Sequence, residues 1–146
     1  MQEAYGHVLN DILLGEIAVA GTFRAVPKGA MVMDIGEPIP GLPMLLHGAI
    51  KVLRVNDDGD EMLLYFLESG DSCAMTLGNF FGSKKSTIRA VAEQDSNMVV
   101  VPLEKVYHWM GQHADFRQLV IESFNTRLKE LAEAVDSLAF LDLHGR

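Results

Sequence analysis

The sequence of 146 residues contains one cysteine, Cys73. A single cysteine forms neither an intramolecular disulfide nor a cysteine-rich zinc site, which is the usage of a protein kept reduced inside the cell. No apolar run approaches the roughly 20 residues that cross a bilayer. The N-terminus also lacks the basic start and long apolar run of a signal peptide. We therefore expect a cytoplasmic protein that does not span a membrane.

Positive charge is also scarce, since 12 lysines and arginines stand against 20 aspartates and glutamates and give a net charge of −8. Binding to nucleic acid depends on lysine and arginine neutralising phosphates. We expect no DNA contacts within this segment, so any such contacts would come from elsewhere. The length suits one domain with one hydrophobic core.

Motifs of catalysis and metal binding are missing. The sequence shows no nucleophile elbow, no phosphate-binding glycine-rich lysine loop and no paired catalytic carboxylates. Its histidines have no spacing that would build a first-row metal site. We therefore expect neither an enzyme nor a metal site. The histidines are His7, His47, His108, His113 and His144.

Short β-like runs separated by turn residues fill the chain from Phe23 to Pro102. This punctuation is typical of an antiparallel sandwich or barrel. The segment NDDGD, residues 56 to 60, predicts a hairpin turn because Asp58-Gly59 accepts a positive φ at low cost. Pro102 ends the strands, since proline cannot donate to a ladder but fits the first turn of a helix.

Helical patterns flank the strands. Residues 1 to 22 predict short helices, with Asn10 or Asp11 as an N-cap. We expect residues 23 to 112 to form the β domain, residues 113 to 141 one long helix, and residues 142 to 146 the start of a hinge. Phe116, Leu119 and Val120 predict that the first half of the long helix packs on the β domain. Apolar residues at alternating steps of three and four form a row along the long helix. We expect this row to be a dimer seam, where the helices of two copies meet, rather than a surface that lies wholly across the chain's own sheet. The seam residues are Ile121, Phe124, Leu128, Leu131, Val135 and Leu138.

Four motifs follow one another along the chain: VPKGAMVMDIGEPI, HGAIKVLRVNDDGDEMLLYFLESGD, VVVPLEKVYHWM and SLAFLDLHGR. In this order they resemble the sensor domain of the bacterial Crp/Fnr transcription regulators. The first resembles an early hairpin, the second a central hairpin, the third the last strand with a short helix, and the fourth the hinge. The resemblance implies a mainly β fold with flanking helices. That fold is a double-stranded β-helix, the jelly roll of cyclic-nucleotide-binding domains, followed by a long C-terminal dimerisation helix.

The resemblance also implies a homodimer that binds DNA through a helix-turn-helix domain beyond residue 146, and an effector cassette after Gly70-Asp71. Cyclic-nucleotide binders carry a Gly-Glu-Leu run there, followed by an Arg-Ser/Thr-Ala run. Here Ala74 and Met75 replace the Gly-Glu pair, and a methionine cannot accept a strong hydrogen bond from a ribose hydroxyl. We therefore expect a pocket that does not bind cyclic AMP in the usual way.

The second half of the cassette has two possible registers. The arginine position falls on Lys84 or Ser86, and the hydroxyl position on Lys85 or Thr87. Arg89 is the one arginine nearby, and alternation allows it to face either the cavity or the surface. The candidate ligand-binding residues are Cys73, Ala74, Met75, Thr76, Lys84, Lys85, Ser86, Thr87 and Arg89.

Three hypotheses follow for the function. The first is an effector-sensing, dimeric domain of a Crp/Fnr-type transcription regulator. The second is a cupin-like metalloenzyme, since cupins share the jelly roll. The third is a ligand-free dimerisation module whose pocket is filled by its own side chains, such as Met75 and Phe80. No cofactor is assigned, and the effector, a small molecule or a nucleotide, is left open.

Overall fold

A computed structural model describes residues 2 to 39, 41 to 70 and 86 to 144. Short helices come first, strands fill the middle, and two helices follow the last strand. No helix in the described ranges is long and apolar enough to cross a membrane. The elements are α1 Gln2–Tyr5, α2 Asp11–Ala20, β1 Thr22–Val26, β2 Met31–Met33, β3 Leu42–His47, β4 Ala49–Val55, β5 Glu61–Glu68, β6 Arg89–Ala92, β7 Ser96–Val101, α3 Leu103–Gln112 and α4 Ala114–His144.

The strands form two antiparallel sheets, one ordered β1-β7-β3 and the other β2-β6-β4-β5. Apolar side chains from both sheets meet in one core, which includes Leu45 and Met98 from the first sheet and Val52 and Leu67 from the second. The other face of the three-stranded sheet packs against the helices through Met44 and other apolar residues. The predicted jelly roll with flanking helices and a long C-terminal helix is confirmed. The two sheets together are called the roll below.

The predicted early hairpin is wrong, because β1 and β2 lie in different sheets. A turn at residues 27 to 30 redirects the chain, and Gly29 has a φ of 86° there. The N–H of Gly29 donates to the carbonyl of Ala92, and the N–H of Ala92 donates to the carbonyl of Ala30. The chain leaving the turn therefore joins β6 instead of folding back on β1.

The predicted central hairpin is confirmed. Strands β4 and β5 pair in antiparallel register, and Gly59 has a φ of 86° in the turn. The side-chain oxygen of Asn56 accepts from the N–H groups of Asp58 at 3.0 Å and Asp60 at 2.9 Å. This local Asx bonding explains why the turn was visible in the sequence.

Gly48 forms the corner at which the chain passes from β3 in one sheet to β4 in the other. Its φ is 108°, and a Cβ built there would collide with both the backbone and the side chain of Ser96. The Ser96 hydroxyl in turn accepts from the N–H of Ala49 at 3.2 Å. The corner therefore needs a residue without a side chain.

The helices pack through a second apolar cluster. Asn10 caps α2 by accepting from the N–H of Leu13 at 2.8 Å. Trp109 and Phe116 meet edge to face with ring centroids 5.7 Å apart. Leu119 and Val120 are buried beside them, so the predicted packing of the first half of α4 on the β domain is confirmed.

The long helix α4 contains 31 residues, ends at His144 and is about 46 Å long. It therefore continues past residue 141, where the sequence placed the start of a hinge.

Candidate functional site

The interior of the roll is filled in the part of the chain that the structure describes. One cavity there measures about 10 Å³, and the described residues that line it are all apolar. A space of this size holds one water at most. At this cavity the described strands therefore present an apolar surface inside the roll. The lining residues are Val32, Met33, Pro43, Ile50, Val52, Leu67, Ile88, Ala90 and Met98.

Most of the predicted effector cassette lies outside the described residues, namely Cys73, Ala74, Met75, Thr76, Lys84 and Lys85. The residue before this segment is attached to β3, because the N–H of Gly70 donates to the carbonyl of Leu45 at 3.1 Å. The residue after it, Ser86, pairs with the turn behind β2: its N–H donates to Glu37 and its carbonyl accepts from Gly36. Both ends of the cassette are therefore anchored to the roll.

Ser86 is buried, and its hydroxyl forms hydrogen bonds with the backbone of Ile88. The Oγ accepts from the N–H of Ile88 at 3.1 Å and donates to the carbonyl of the same residue at 2.7 Å. Thr87, next in the chain, is exposed. The Ser86 hydroxyl thus closes the turn that leads into β6.

Arg89 lies on the outer surface of the four-stranded sheet, since both its neighbours, Ile88 and Ala90, are buried. Its Nε donates to Asp34 at 2.9 Å and its Nη1 to Glu61 at 3.2 Å. The hydrogen bond from Arg89, helped by one from the backbone N–H of Ile35, lowers the pKa of Asp34 below its ordinary value. The hydrogen bonds to the two carboxylates raise the pKa of Arg89. The structure thus decides between the two orientations that alternation allowed.

A cleft of about 550 Å³ lies between β5 and α4. In it, the guanidinium carbon of Arg127 stands 3.9 Å from the ring centroid of Tyr65. The Nη1 of Arg127 also donates to both carboxylate oxygens of Glu130 at 3.1 Å. Sequence reasoning missed this pair. The one available signal was an arginine beside the apolar seam of a long helix, which does not reveal its partner.

Two cavities meet at this point of α4. The cleft toward β5 and a smaller cavity of about 170 Å³ both have Thr126 and Arg127 in their walls. The smaller one is completed by His7 and Gly70, among others. The helix is therefore bordered by space on two sides at Thr126 and Arg127, and the smaller of the two spaces reaches Gly70.

After Arg127, α4 is exposed as far as its side chains are described, that is, to residue 139. Residues 128 to 139 are all exposed, although five of the six residues predicted for the dimer seam are large apolar side chains with 49 to 65% of their area exposed. The sixth, Phe124, is half-buried against the helix cluster. The five are Ile121, Leu128, Leu131, Val135 and Leu138.

The sequence pattern of the cyclic nucleotide-binding domain family matches residues 23 to 113, more than half of the chain. The chain belongs to this family. It is 26% identical over 112 residues to the global nitrogen regulator of Synechocystis, covering 76% of this chain and 49% of the relative. It is also 26% identical over 120 residues to the cAMP-activated global transcriptional regulator CRP of Salmonella typhimurium, covering 82% of this chain and 57% of the relative.

The fold also matches a solved structure, that of the c-di-GMP responsive global regulator CLP of Xanthomonas campestris. The TM-score is 0.75 at 18% identity, over 90% of this chain and 66% of the other. The predicted resemblance to Crp/Fnr regulators is confirmed. The chain spans about half the length of the curated relatives it matches.

Proposed function

We propose that this chain is the effector-sensing and dimerising domain of a Crp/Fnr-type transcription regulator, and that it works by binding rather than by catalysis. The family match and the regulators among its relatives support this proposal. The negative charge of the chain fits a cytoplasmic domain that leaves DNA to a helix-turn-helix in the part of the regulator that it does not span.

The observation that carries the proposal is the change in burial along α4. Phe116, Leu119 and Val120 are buried against the body of the protein, whereas Leu128 and the later seam residues are exposed. A row of exposed apolar side chains at heptad spacing is costly in water unless another helix covers it. A second copy of the chain supplies such a helix with the same spacing.

The effector, in this proposal, binds in the cleft between β5 and α4. Occupancy would change the angle between the two long helices and so move the DNA-binding parts of the regulator. The available energy is the difference in effector affinity between the two arrangements. The replacements at Ala74 and Met75 indicate a ligand other than cyclic AMP bound in the usual way.

A ligand-free dimerisation module is the second candidate, favoured by the small apolar cavity between the described strands inside the roll. Both candidates require a dimer, which sedimentation equilibrium of the 146-residue chain tests. A monomer at micromolar concentration would refute both. Calorimetric titration with cyclic AMP, cyclic GMP and cyclic di-GMP separates them. Saturable binding supports the sensor, whereas a dimer that binds none of them supports the module. Nanomolar binding of cyclic AMP would contradict the interpretation of Met75.

A further inference from the structure

Arg127 stands at the point where α4 leaves the roll. Its side chain is 17% exposed, whereas every residue from 128 to 139 is exposed. The next residue, Leu128, begins the bare part of the seam, with 61% of its area exposed. Between residues 114 and 139, where the burial of α4 is described, the last sheltered side chain and the first seam residue beyond it are therefore neighbours in sequence.

A contact of the Arg127 guanidinium joins the helix to the wall of the roll. Tyr65 belongs to β5 and is partly buried against the roll core, and the guanidinium lies 3.9 Å from the centre of its ring. A planar guanidinium stacks on an aromatic face better than an ammonium group does. Glu130 fixes the guanidinium from the side of the helix through its two oxygens.

We infer that this contact between Arg127 and Tyr65, which we call the exit latch, fixes the direction in which α4 leaves the roll. In the same inference, an effector in the cleft breaks the contact by binding to Arg127 or to Tyr65 in place of the other. The claim about the direction of α4, the first half of the inference, depends on the geometry alone. The claim about the effector, the second half, depends on the proposed function.

The partners define the class of effector. A ligand that replaces Arg127 on Tyr65 needs a flat ring, and a ligand that draws the guanidinium away from Glu130 needs an anionic group. The cleft therefore fits a planar, anionic small molecule. A neutral sugar offers neither group and leaves the latch closed.

The helix amplifies a change at the latch. Leu138, the last seam residue, lies 11 residues beyond Arg127, or about 16 Å along the axis. A tilt of about 10° at Arg127 therefore moves Leu138 by about 3 Å, a large fraction of one helical pitch. Such a shift is enough to change how two seams fit together.

Distances between two spin labels in the same chain, measured by electron paramagnetic resonance, test the first half of the inference. Labels would be placed at Lys28→Cys on the roll and Glu133→Cys on α4, in a Cys73→Ser background, with an excess of unlabelled chain to isolate distances within a protomer. We expect Arg127→Met and Tyr65→Leu to raise the population of other helix orientations roughly 2-fold to 30-fold. Tyr65→Phe keeps the aromatic face and Lys129→Met removes a nearby charge, so both should keep the parent distribution.

A distance distribution for Arg127→Met that superimposes on that of Lys129→Met would overturn the latch. Tyr65→Leu gives a second test from the other partner, should Arg127→Met fold poorly. Because these distances lie within one chain, the result stands even if sedimentation shows a monomer and the proposed function fails.

The second half is tested with cyclic AMP, cyclic di-GMP and benzoate at millimolar concentration. At least one of them should move the parent toward the Arg127→Met distribution and leave that variant unchanged. An unchanged parent with all three would overturn the effector half.

Discussion

The guanidinium of Arg89 donates from Nε to Oδ1 of Asp34 at 2.9 Å on the outer surface of the four-stranded sheet. Arg89 is the first residue of β6, and Asp34 directly follows β2. A second hydrogen bond, from Nη1 to Glu61, reaches the first residue of β5. One arginine thus joins three segments of the sheet and is engaged by two carboxylates. We therefore expect Arg89 to take no part in effector binding.

The first prediction concerns pH. Because Arg89 lowers the pKa of Asp34 below 3.8, the carboxylate is favoured in the folded state. Its contribution to stability is present above pH 3.8 and is lost as the pH falls through the lower, folded value. Replacing Arg89 with methionine should raise the pKa of Asp34, as measured by carboxyl NMR titration. Arg54→Met, an exposed arginine on β4, should not change it, and an equal rise in both variants would count against the direct pair.

The second prediction concerns the seam. Leu128→Asp combined with Leu131→Asp places two carboxylates where we propose that helices meet, and burying unpaired charges is costly. We expect the double variant to be monomeric in sedimentation equilibrium at a concentration where the parent is dimeric. Lys129→Asp changes the net charge by the same −2 but lies off the seam, so it should remain dimeric. A dimeric double variant would show that α4 does not hold the copies together.

The third prediction concerns the corner at Gly48. Gly48→Ala forces a side chain into a φ of 108° and against Ser96, and we expect a loss of about 2–4 kcal/mol in the free energy of unfolding. Gly59→Ala has a φ of 86° but open space around it, so it should lose only about 1–2 kcal/mol. Urea unfolding measures both variants. Equal losses would mean that Ser96 moves aside freely.

The fourth prediction concerns Ser86. Ser86→Ala leaves the backbone N–H and carbonyl of Ile88 without their present partner in a buried place, which should cost about 1–3 kcal/mol. Gln94→Ala, at an exposed bend, should change stability by less than about 0.5 kcal/mol. Urea unfolding again provides the measurement. If Ser86→Ala is as stable as the parent but alters effector binding, the hydroxyl has a ligand role instead.

Local chemistry explains what the sequence could predict. The Asn56 turn was visible because its side chain bonds its own next residues, and the Asn10 cap because it bonds Leu13 three residues on. The early hairpin was predicted wrongly, since strand patterns do not show which strand is the partner. Arg89 was undecided for a related reason: alternation fixes two faces but does not say which one is inside.

By itself, the sequence determined the elements of this protein, namely a strand-rich middle and a long helix with an apolar seam. These elements depend on turn residues and on the repeat of apolar residues, every two residues in strands and every three to four in helices. Such signals involve only residues close together in the chain. Only the tertiary structure decided where that helix stops packing on the roll, and that Tyr65 meets Arg127 there. That pairing joins residues far apart in the chain. It depends on how the sheets close and how α4 is laid across them, which no local pattern encodes.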